Sequence, residues 1–225
     1  MLVTGFPAGA FAANCYLVAP APGEECVIID PGQDAEQGIE ELLGRYRLKP
    51  IAVLLTHGHL DHMWSVAPVC GAKGIPANIH PDDRELLADP AKGMSLMMGQ
   101  QLFGGITFSE PDDVRELSDG EIVTLGGLGF SIGHTPGHTP GSVTFRGQED
   151  DLDALFTGDL LFAGSIGRTD LPGGDHGAML KSLARTLTLP DETIVLPGHG
   201  PQTTIGAERR TNPFLTGLQP AQKGL

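Results

Sequence analysis

The chain carries one dense cluster of candidate metal ligands, Thr56-His57-Gly58-His59-Leu60-Asp61-His62. The apolar run Ile51–Leu55 comes directly before it and predicts a buried strand, so the cluster begins where a core strand ends. On extended backbone, side chains two residues apart point the same way, so His57 and His59 are expected to face one point. A helical turn near Asp61 is expected to direct Asp61 and His62 to a second point. The segment therefore predicts ligands for two adjacent metal ions.

The composition restricts the classes of function. The 225 residues fit one domain over 1–225, in which 213–225 is weakly patterned and is expected to be a flexible tail. Acidic residues outnumber basic ones 28 to 14, for a net charge of −14. This balance argues against a nucleic-acid partner, because the sequence has no basic stripe that could neutralise phosphates.

The chain is expected to be cytoplasmic. Its N-terminal segment, Met1–Phe6, lacks the basic and apolar regions of a signal peptide, and no apolar run is long enough to cross a bilayer. The cysteines Cys15, Cys26 and Cys70 show no Cys-x-x-Cys spacing and are typical of core residues in a reducing compartment. No membrane partner is therefore expected, and the sequence leaves the oligomeric state open.

Short apolar runs separated by Pro- and Gly-containing turns predict many short strands and a few helices. Strands are predicted at 14–18, 26–30, 51–55, 77–79, 122–125, 128–132, 142–145, 155–157 and 193–196. Helices are predicted over 33–48, through Trp64 and Val69, over 84–88 and over 179–187. The segment 89–111, which contains Met94, Met97 and Met98, predicts either an irregular surface helix or a mobile flap over a substrate groove.

Three further candidate ligands each follow a predicted strand. His138, Asp159 and His199 each stand next to a glycine, which lets the backbone fold closely around a small site. A single His or Asp in such a setting is usually a turn residue or a helix N-cap. The cluster at 57–62 shifts that balance, because buried imidazoles beside a carboxylate are costly without an ion. The combined pattern predicts a two-metal site where several strand ends converge.

The order and setting of these motifs resemble those of the metallo-β-lactamase superfamily. The glyoxalase II-like branch, which contains the hydroxyacylglutathione hydrolases, shares further motifs with this chain. These are Asn14-Cys15-Tyr16, Asp30-Pro31-Gly32, His134–Ser142, Gly164–Asp170 and Pro197–Pro201. The resemblance covers nearly the whole chain and implies an α+β fold, a four-layer αββα sandwich.

The resemblance also implies two groups of metal ligands, with Asp159 shared between them. The first group is His57, His59 and His138, and the second group is Asp61, His62 and His199. Asp61 is in addition the implied catalytic residue, which orients the attacking water. Two divalent ions are expected, with zinc favoured, although iron and manganese accept the same ligands. Because the other nitrogen of each imidazole must be held, Asp30 and Thr56 are expected to support the ligands.

The implied activity is a metal-dependent hydrolase of thioesters, glyoxalase II type. Its small-molecule substrate would be an S-acyl, for example S-lactoyl, conjugate of a small thiol, cleaved by water that the two ions activate. Full-length glyoxalase II enzymes hold glutathione with a C-terminal helical domain, which is expected to be missing here because the sequence ends at Leu225. The thiol carrier is therefore left open, and Arg168, in the loop after Asp159, is the candidate substrate-binding residue.

Three alternatives remain at this stage. A persulfide dioxygenase with a single iron shares the fold and the Gly167-Arg168-Thr169-Asp170 loop, but lacks the ligands of the second ion. A lactonase or esterase of the same superfamily uses the same chemistry on another substrate. A metal-binding or partner-binding module without activity is disfavoured, because both ligand groups are complete.

Overall fold

Two six-stranded mixed sheets face each other in the computed structural model, which describes residues 1–94, 107–149 and 152–218. The first sheet contains, in spatial order, β1 (Leu2–Ala8), β2 (Ala13–Ala19), β3 (Glu25–Ile29), β4 (Lys49–Leu54), β5 (Ala77–Ile79) and β6 (Val114–Glu116). The second sheet contains, in spatial order, β14 (Thr203–Thr204), β13 (Ile194–Pro197), β10 (Leu152–Gly158), β9 (Val143–Glu149), β8 (Leu128–His134) and β7 (Ile122–Leu125). A small antiparallel ribbon joins β11 (Leu161–Phe162) to β12 (Ser165–Ile166).

Helices cover the outer faces of both sheets. The α-helices are α1 (Glu36–Tyr46), α2 (Leu60–Met63), α3 (Val66–Lys73), α4 (Pro81–Arg84), α5 (His176–Thr186) and α6 (Ile205–Thr211). Short 3-10 helices lie at Glu85–Leu87, Pro90–Gly93 and Pro213–Leu215. The buried positions of α1, Ile39, Leu42 and Leu43, follow the helical period, so this helix packs one apolar face on the first sheet.

Three apolar layers separate these elements. The layer between the sheets contains Phe130, Phe145 and Phe156, all fully buried. A second layer lies between the first sheet and the helices α1 to α3, and a third joins the second sheet to α5 through Met179 and Leu183. The helix–sheet–sheet–helix order confirms the expected αββα sandwich.

Several elements differ from the sequence predictions. The edge strands β1 and β6 were not expected, because each gains its strand character from pairing with a neighbour rather than from a local apolar run. A 3-10 helix begins at Pro213, and its Leu215 is buried in the apolar layer between the second sheet and α5. Met97, Met98 and residues 219–225 lie outside the described residues. Met94 packs against the apolar layer between the first sheet and the helices α1 to α3. Among the described helices, none has the length and apolarity needed to cross a membrane.

The layer between the sheets gives a direct test of the fold. Phe130 has no exposed surface, so Phe130→Ala is expected to lower the free energy of unfolding by about 3–5 kcal/mol through the cavity it leaves. Ile122 on the neighbouring strand is 67% exposed, so Ile122→Ala should change it by about 0.5 kcal/mol or less. Denaturant unfolding of both variants measures the difference, and equal losses would be inconsistent with a core position for Phe130.

Candidate metal centre

The sequence-predicted ligands come together at one rim of the sandwich. His57 and His59 follow β4, and Asp61 and His62 lie in the short helix α2, where the expected helical turn is present. In the second sheet, His138 follows β8, Asp159 follows β10 and His199 follows β13. The site is therefore built from strand ends of both sheets.

The three imidazoles of the first group, His57, His59 and His138, lie close together. His59 Nδ1 lies 2.7 Å from His138 Nε2, and the ring of His57 lies 5.0 and 4.8 Å from those two rings. All three imidazoles are buried. His57 Nε2 has no hydrogen-bond partner among the described residues, which is unfavourable for a buried nitrogen unless an ion uses its lone pair.

The second group lies beside the first and is more open. His199 Nε2 is 3.1 Å from Asp61 Oδ2 and 3.2 Å from His62 Nε2. The side chains of Asp61 and His199 are 25% and 30% exposed, whereas that of His62 is fully buried. The second group is therefore the more exposed part of the centre.

Asp159 lies between the two groups. Its Oδ1 is 3.3 Å from His62 Nε2, and its Oδ2 is 3.5 Å from His138 Nε2. One carboxylate thus approaches an imidazole of each group, as a ligand shared by two ions must. A Cβ at position 198 would overlap this carboxylate, so glycine at 198 is required by the close approach of β13 to the centre.

The carboxylate of Asp30 fixes one imidazole of each ligand group through hydrogen bonds. It accepts hydrogen bonds from His62 Nδ1 at 3.0 Å, from the Thr56 amide at 2.8 Å and from the Thr56 hydroxyl at 2.6 Å. Because the Thr56 hydroxyl donates to Asp30, its oxygen can accept from His57 Nδ1, which lies 3.0 Å away. These bonds place a proton on Nδ1 of His57 and His62, and direct each Nε2 into the site.

His138 is held in the same tautomer by a different partner. Its Nδ1 donates to the backbone carbonyl of Arg168 at 2.8 Å, so its Nε2 also faces the centre with a free lone pair. Metal-binding imidazoles need this arrangement, in which the second nitrogen donates to a fixed acceptor.

The ionisation of the first group suits a metal ligand. Burial lowers the pKa of His57 well below its ordinary value, and the neighbouring imidazoles add to the effect. Burial and the adjacent His138 likewise lower the pKa of His59 to about 3. Both imidazoles are therefore neutral at pH 7, which is the form that binds metal.

The carboxylates of the centre are held in the ionised form. Burial opposes ionisation of Asp61, but the charge of His62 and the hydrogen bond from His199 outweigh it and lower the pKa of Asp61. The pKa of Asp159 is lowered in the same way, chiefly by His62. Burial would lower the pKa of His62, yet Asp61 and Asp159 raise it well above its ordinary value. The carboxylates thus favour positive charge between them, which divalent cations supply.

A cavity of about 230 Å³ opens onto the ligands. Apolar side chains form much of its wall, namely those of Phe11, Leu60, Met94 and Leu171. Of these, Phe11, Leu60 and Leu171 were not expected from the sequence, because no local pattern distinguishes an apolar residue that lines a pocket from one in a core. Arg168 also lines the cavity, and its Nε and Nη2 donate hydrogen bonds to Oδ1 and Oδ2 of Asp170, at 2.7 Å each.

Two other histidines lie near one another but outside both groups. The rings of His80 and His134 are stacked, with centroids 4.1 Å apart and planes at 9°. Their ring lone pairs lie in parallel planes, so they cannot both point at one ion, although Asp82 is close enough to make a third ligand. His134 Nε2 instead donates to the carbonyl of Pro140 at 2.8 Å, and the pair is structural.

The family model described as the metallo-beta-lactamase superfamily matches residues 8–199, and this chain belongs to that superfamily. The expectation drawn from the motifs is thereby confirmed at the level of the superfamily.

Three relatives of known name or structure are similar over nearly the whole chain. The hydroxyacylglutathione hydrolase GloC of Haemophilus influenzae is 40% identical over 215 residues, which are 93% of this chain and 95% of that protein. The crystal structure of the BLEG-1 B3 metallo-beta-lactamase is 42% identical, with a TM-score of 0.84 over 96% of this chain and 100% of that chain. TTHA1623, solved in a di-iron-bound form, is 42% identical, with a TM-score of 0.78 over the same shares.

Removal of one buried imidazole tests the centre. His57→Ala is expected to lower the metal content by about one ion per chain, because the first group loses a ligand that no neighbour replaces. His176, an exposed histidine at the start of α5, provides the matched control, and His176→Ala should keep the full content. Elemental analysis of both purified variants measures the change. A His57→Ala protein with undiminished metal would contradict the assignment of the first group.

Proposed function

We propose that this chain is a binuclear metal-dependent hydrolase that cleaves thioesters, with chemistry of the glyoxalase II type. The observation that carries the proposal is the convergence of both complete ligand groups, joined by Asp159, at the floor of a largely apolar cavity. The first group would hold one ion and the second group the other. When bound, two divalent ions supply an activated water at neutral pH and a positive charge that polarises the substrate carbonyl.

Asp61 is the catalytic residue of this proposal. It belongs to the second group and lines the cavity, as His199 of the same group and His59 and His138 of the first group also do. Its lowered pKa keeps the carboxylate ionised at pH 7, so it can accept a hydrogen bond from the attacking water and direct the oxygen lone pair at the carbonyl carbon. His199, 3.1 Å from Asp61 Oδ2, restrains the position of that carboxylate.

Catalysis by a cysteine nucleophile does not fit the described residues. Cys15, Cys26 and Cys70 are all buried, and none lines the cavity at the metal ligands. Burial raises the pKa of Cys26 and of Cys70 to about 12, so neither forms the reactive thiolate at pH 7. An attacking water is therefore the nucleophile that the chain supports.

The cavity supports a small apolar group beside the reacting carbonyl. Phe11, Leu60, Met94 and Leu171 offer contact surface for an acyl or thiol portion of the substrate. The described residues enclose about 230 Å³ of this cavity, less than the roughly 300–1,000 Å³ of most ligand pockets, which supports a short acyl chain. The similarity to GloC, whose name is that of a hydroxyacylglutathione hydrolase, supports the same substrate class.

Arg168 is the proposed contact for the thiol carrier. Its guanidinium is paired with Asp170, but the two side chains are 58% and 67% exposed. A pair this exposed is weak, because solvent screens it, so a substrate carboxylate can replace Asp170 at little cost.

Turnover of S-lactoyl thioesters tests the proposed reaction. The metal-replete protein is expected to release lactate and free thiol, to lose this activity on treatment with a chelator, and to regain it when zinc is added back. Thiol release followed with a chromogenic disulfide measures the rate, and His57→Ala serves as the control without a complete first group. Efficient oxygen consumption on a persulfide, or lactone cleavage without thioester cleavage, would instead favour the other members of the superfamily.

A second candidate reaction is β-lactam hydrolysis. The similarity to BLEG-1, which is described as a B3 metallo-beta-lactamase, supports it, and the same water would attack the lactam carbonyl. A chromogenic cephalosporin assayed beside the thioesters separates the two reactions.

Iron is proposed beside zinc as the bound metal, because the similar protein TTHA1623 was solved in a di-iron-bound form. Metal analysis of the active protein identifies the metal.

The role of Arg168 has a distinct kinetic signature. Arg168→Met keeps the apolar stem and removes the charge, so KM for a thioester whose thiol carries a carboxylate is expected to rise about 3- to 10-fold while kcat stays the same. Asp170→Asn is the matched partner, because it frees the guanidinium and should lower KM. A fall in kcat with unchanged KM in Arg168→Met would show that the residue acts through the His138 loop and not on the substrate.

A further inference from the structure

Asp83 is a fully buried carboxylate that belongs to neither ligand group. It lies in α4, which follows β5, a strand that supplies no metal ligand. A buried charge is expensive to maintain unless several donors compensate it, so its partners indicate what it holds in place.

The partners of Asp83 come from the two loops that carry the first group. Its Oδ2 accepts a hydrogen bond from the Gly58 amide at 2.8 Å and from the Thr139 hydroxyl at 2.7 Å. Its Oδ1 accepts from the Gly141 amide at 2.7 Å. Gly58 stands between His57 and His59 in the sequence, and Thr139 directly follows His138.

Glycine at positions 58 and 141 allows both loops to lie close to Asp83. A Cβ at Gly58 would lie 2.9 Å from the carbonyl oxygen of Asp83, and a Cβ at Gly141 would lie 2.6 Å from its carboxyl carbon. Atoms do not approach so closely without displacing one another, so both positions require glycine. The close approach is therefore part of how the two loops are built around Asp83.

The geometry of the first group depends on how its two loops are connected. His57 and His59 follow a strand of the first sheet, whereas His138 follows a strand of the second. The relative position of these imidazoles, including the 2.7 Å between His59 Nδ1 and His138 Nε2, is thus set by how the two loops are joined. Asp83 accepts from both loops with one rigid, planar group.

The second group is held by other contacts. Asp30 fixes His62, and Asn14 Nδ2 donates to the carbonyls of Pro197 and Gly200, which flank His199 in the chain. None of these bonds involves Asp83. The two groups can therefore respond differently to its loss.

We propose that Asp83 is the positioning residue of the first group, and that it sets the affinity of the chain for the first of the two divalent ions. The proposal rests on the metal centre described under the proposed function. Asp83 touches neither metal nor substrate and acts through the loops of His57, His59 and His138.

Asp83→Asn tests this with little change in volume. Its amide nitrogen would face a backbone N–H of Gly58 or of Gly141 in either orientation, so one of the two loops loses its acceptor and meets a donor. We expect the affinity for the first ion to fall about 10- to 100-fold, the range typical of residues that orient metal ligands. The affinity for the second ion is expected to change little.

Single-site backgrounds separate the two ions. Zinc affinity is measured by competition with a chromogenic chelator, in a His199→Ala chain that keeps the first group and in a His57→Ala chain that keeps the second. Asp83→Asn should weaken binding in the first background only. Glu208→Gln is the matched control, since Glu208 is 3% exposed and accepts from the Gly164 amide, the Thr203 hydroxyl and the Asn212 amide. It should lower thermal stability without changing either affinity.

Thr139→Val provides a milder change if Asp83→Asn fails to fold. It removes one of the three hydrogen bonds to the carboxylate at nearly constant volume and is expected to weaken the first ion about 10-fold or less. Unchanged affinity for the first ion, or equal weakening of both ions, would overturn the assignment of Asp83. Wild-type protein that binds two ions but cleaves no thioester would count against the proposed function alone.

Discussion

The hydrogen bonds accepted by Asp30 are the constraint on which the centre depends. Its carboxylate accepts a hydrogen bond directly from His62 and is linked to His57 through the Thr56 hydroxyl. It therefore fixes an imidazole in each ligand group. Asp30 has a left-handed backbone, with φ of 51°, at the point where the chain leaves β3. Aspartate tolerates this conformation better than most residues, and the hydrogen bonds to its charge compensate the strain. The parallel pairing of β3 with β4 then brings Asp30 beside Thr56.

The rim that carries the ligands is also where the two sheets are joined. The amide of Val143 donates to the carbonyl of Thr56 at 2.8 Å, and the amide of Asn14 donates to the carbonyl of Gly198 at 2.7 Å. Both bonds connect segments from different sheets beside a metal ligand. The contacts that join the two sheets at this rim therefore also bring the ligands of the centre together.

The sequence predicts the fold class and the convergence of the candidate ligands, because each depends on a local pattern. Imidazoles beside an aspartate after an apolar strand are informative without any partner, and Asp30 follows from the need of each ligating imidazole for a fixed acceptor. Asp83 could not be found in this way, since its partners Gly58 and Gly141 lie 25 and 58 residues away and carry no side-chain signal. Pocket-lining residues such as Phe11 and edge strands such as β1 are likewise defined by contacts made only in the folded chain.

The difference in exposure between the two ligand groups has a consequence for the exchange of bound metal. An ion held by the buried imidazoles of the first group would be less exposed to solvent than an ion held by the second group, in which Asp61 and His199 are 25% and 30% exposed. We therefore expect an ion in the second group to exchange with the surrounding metal pool faster than an ion in the first group.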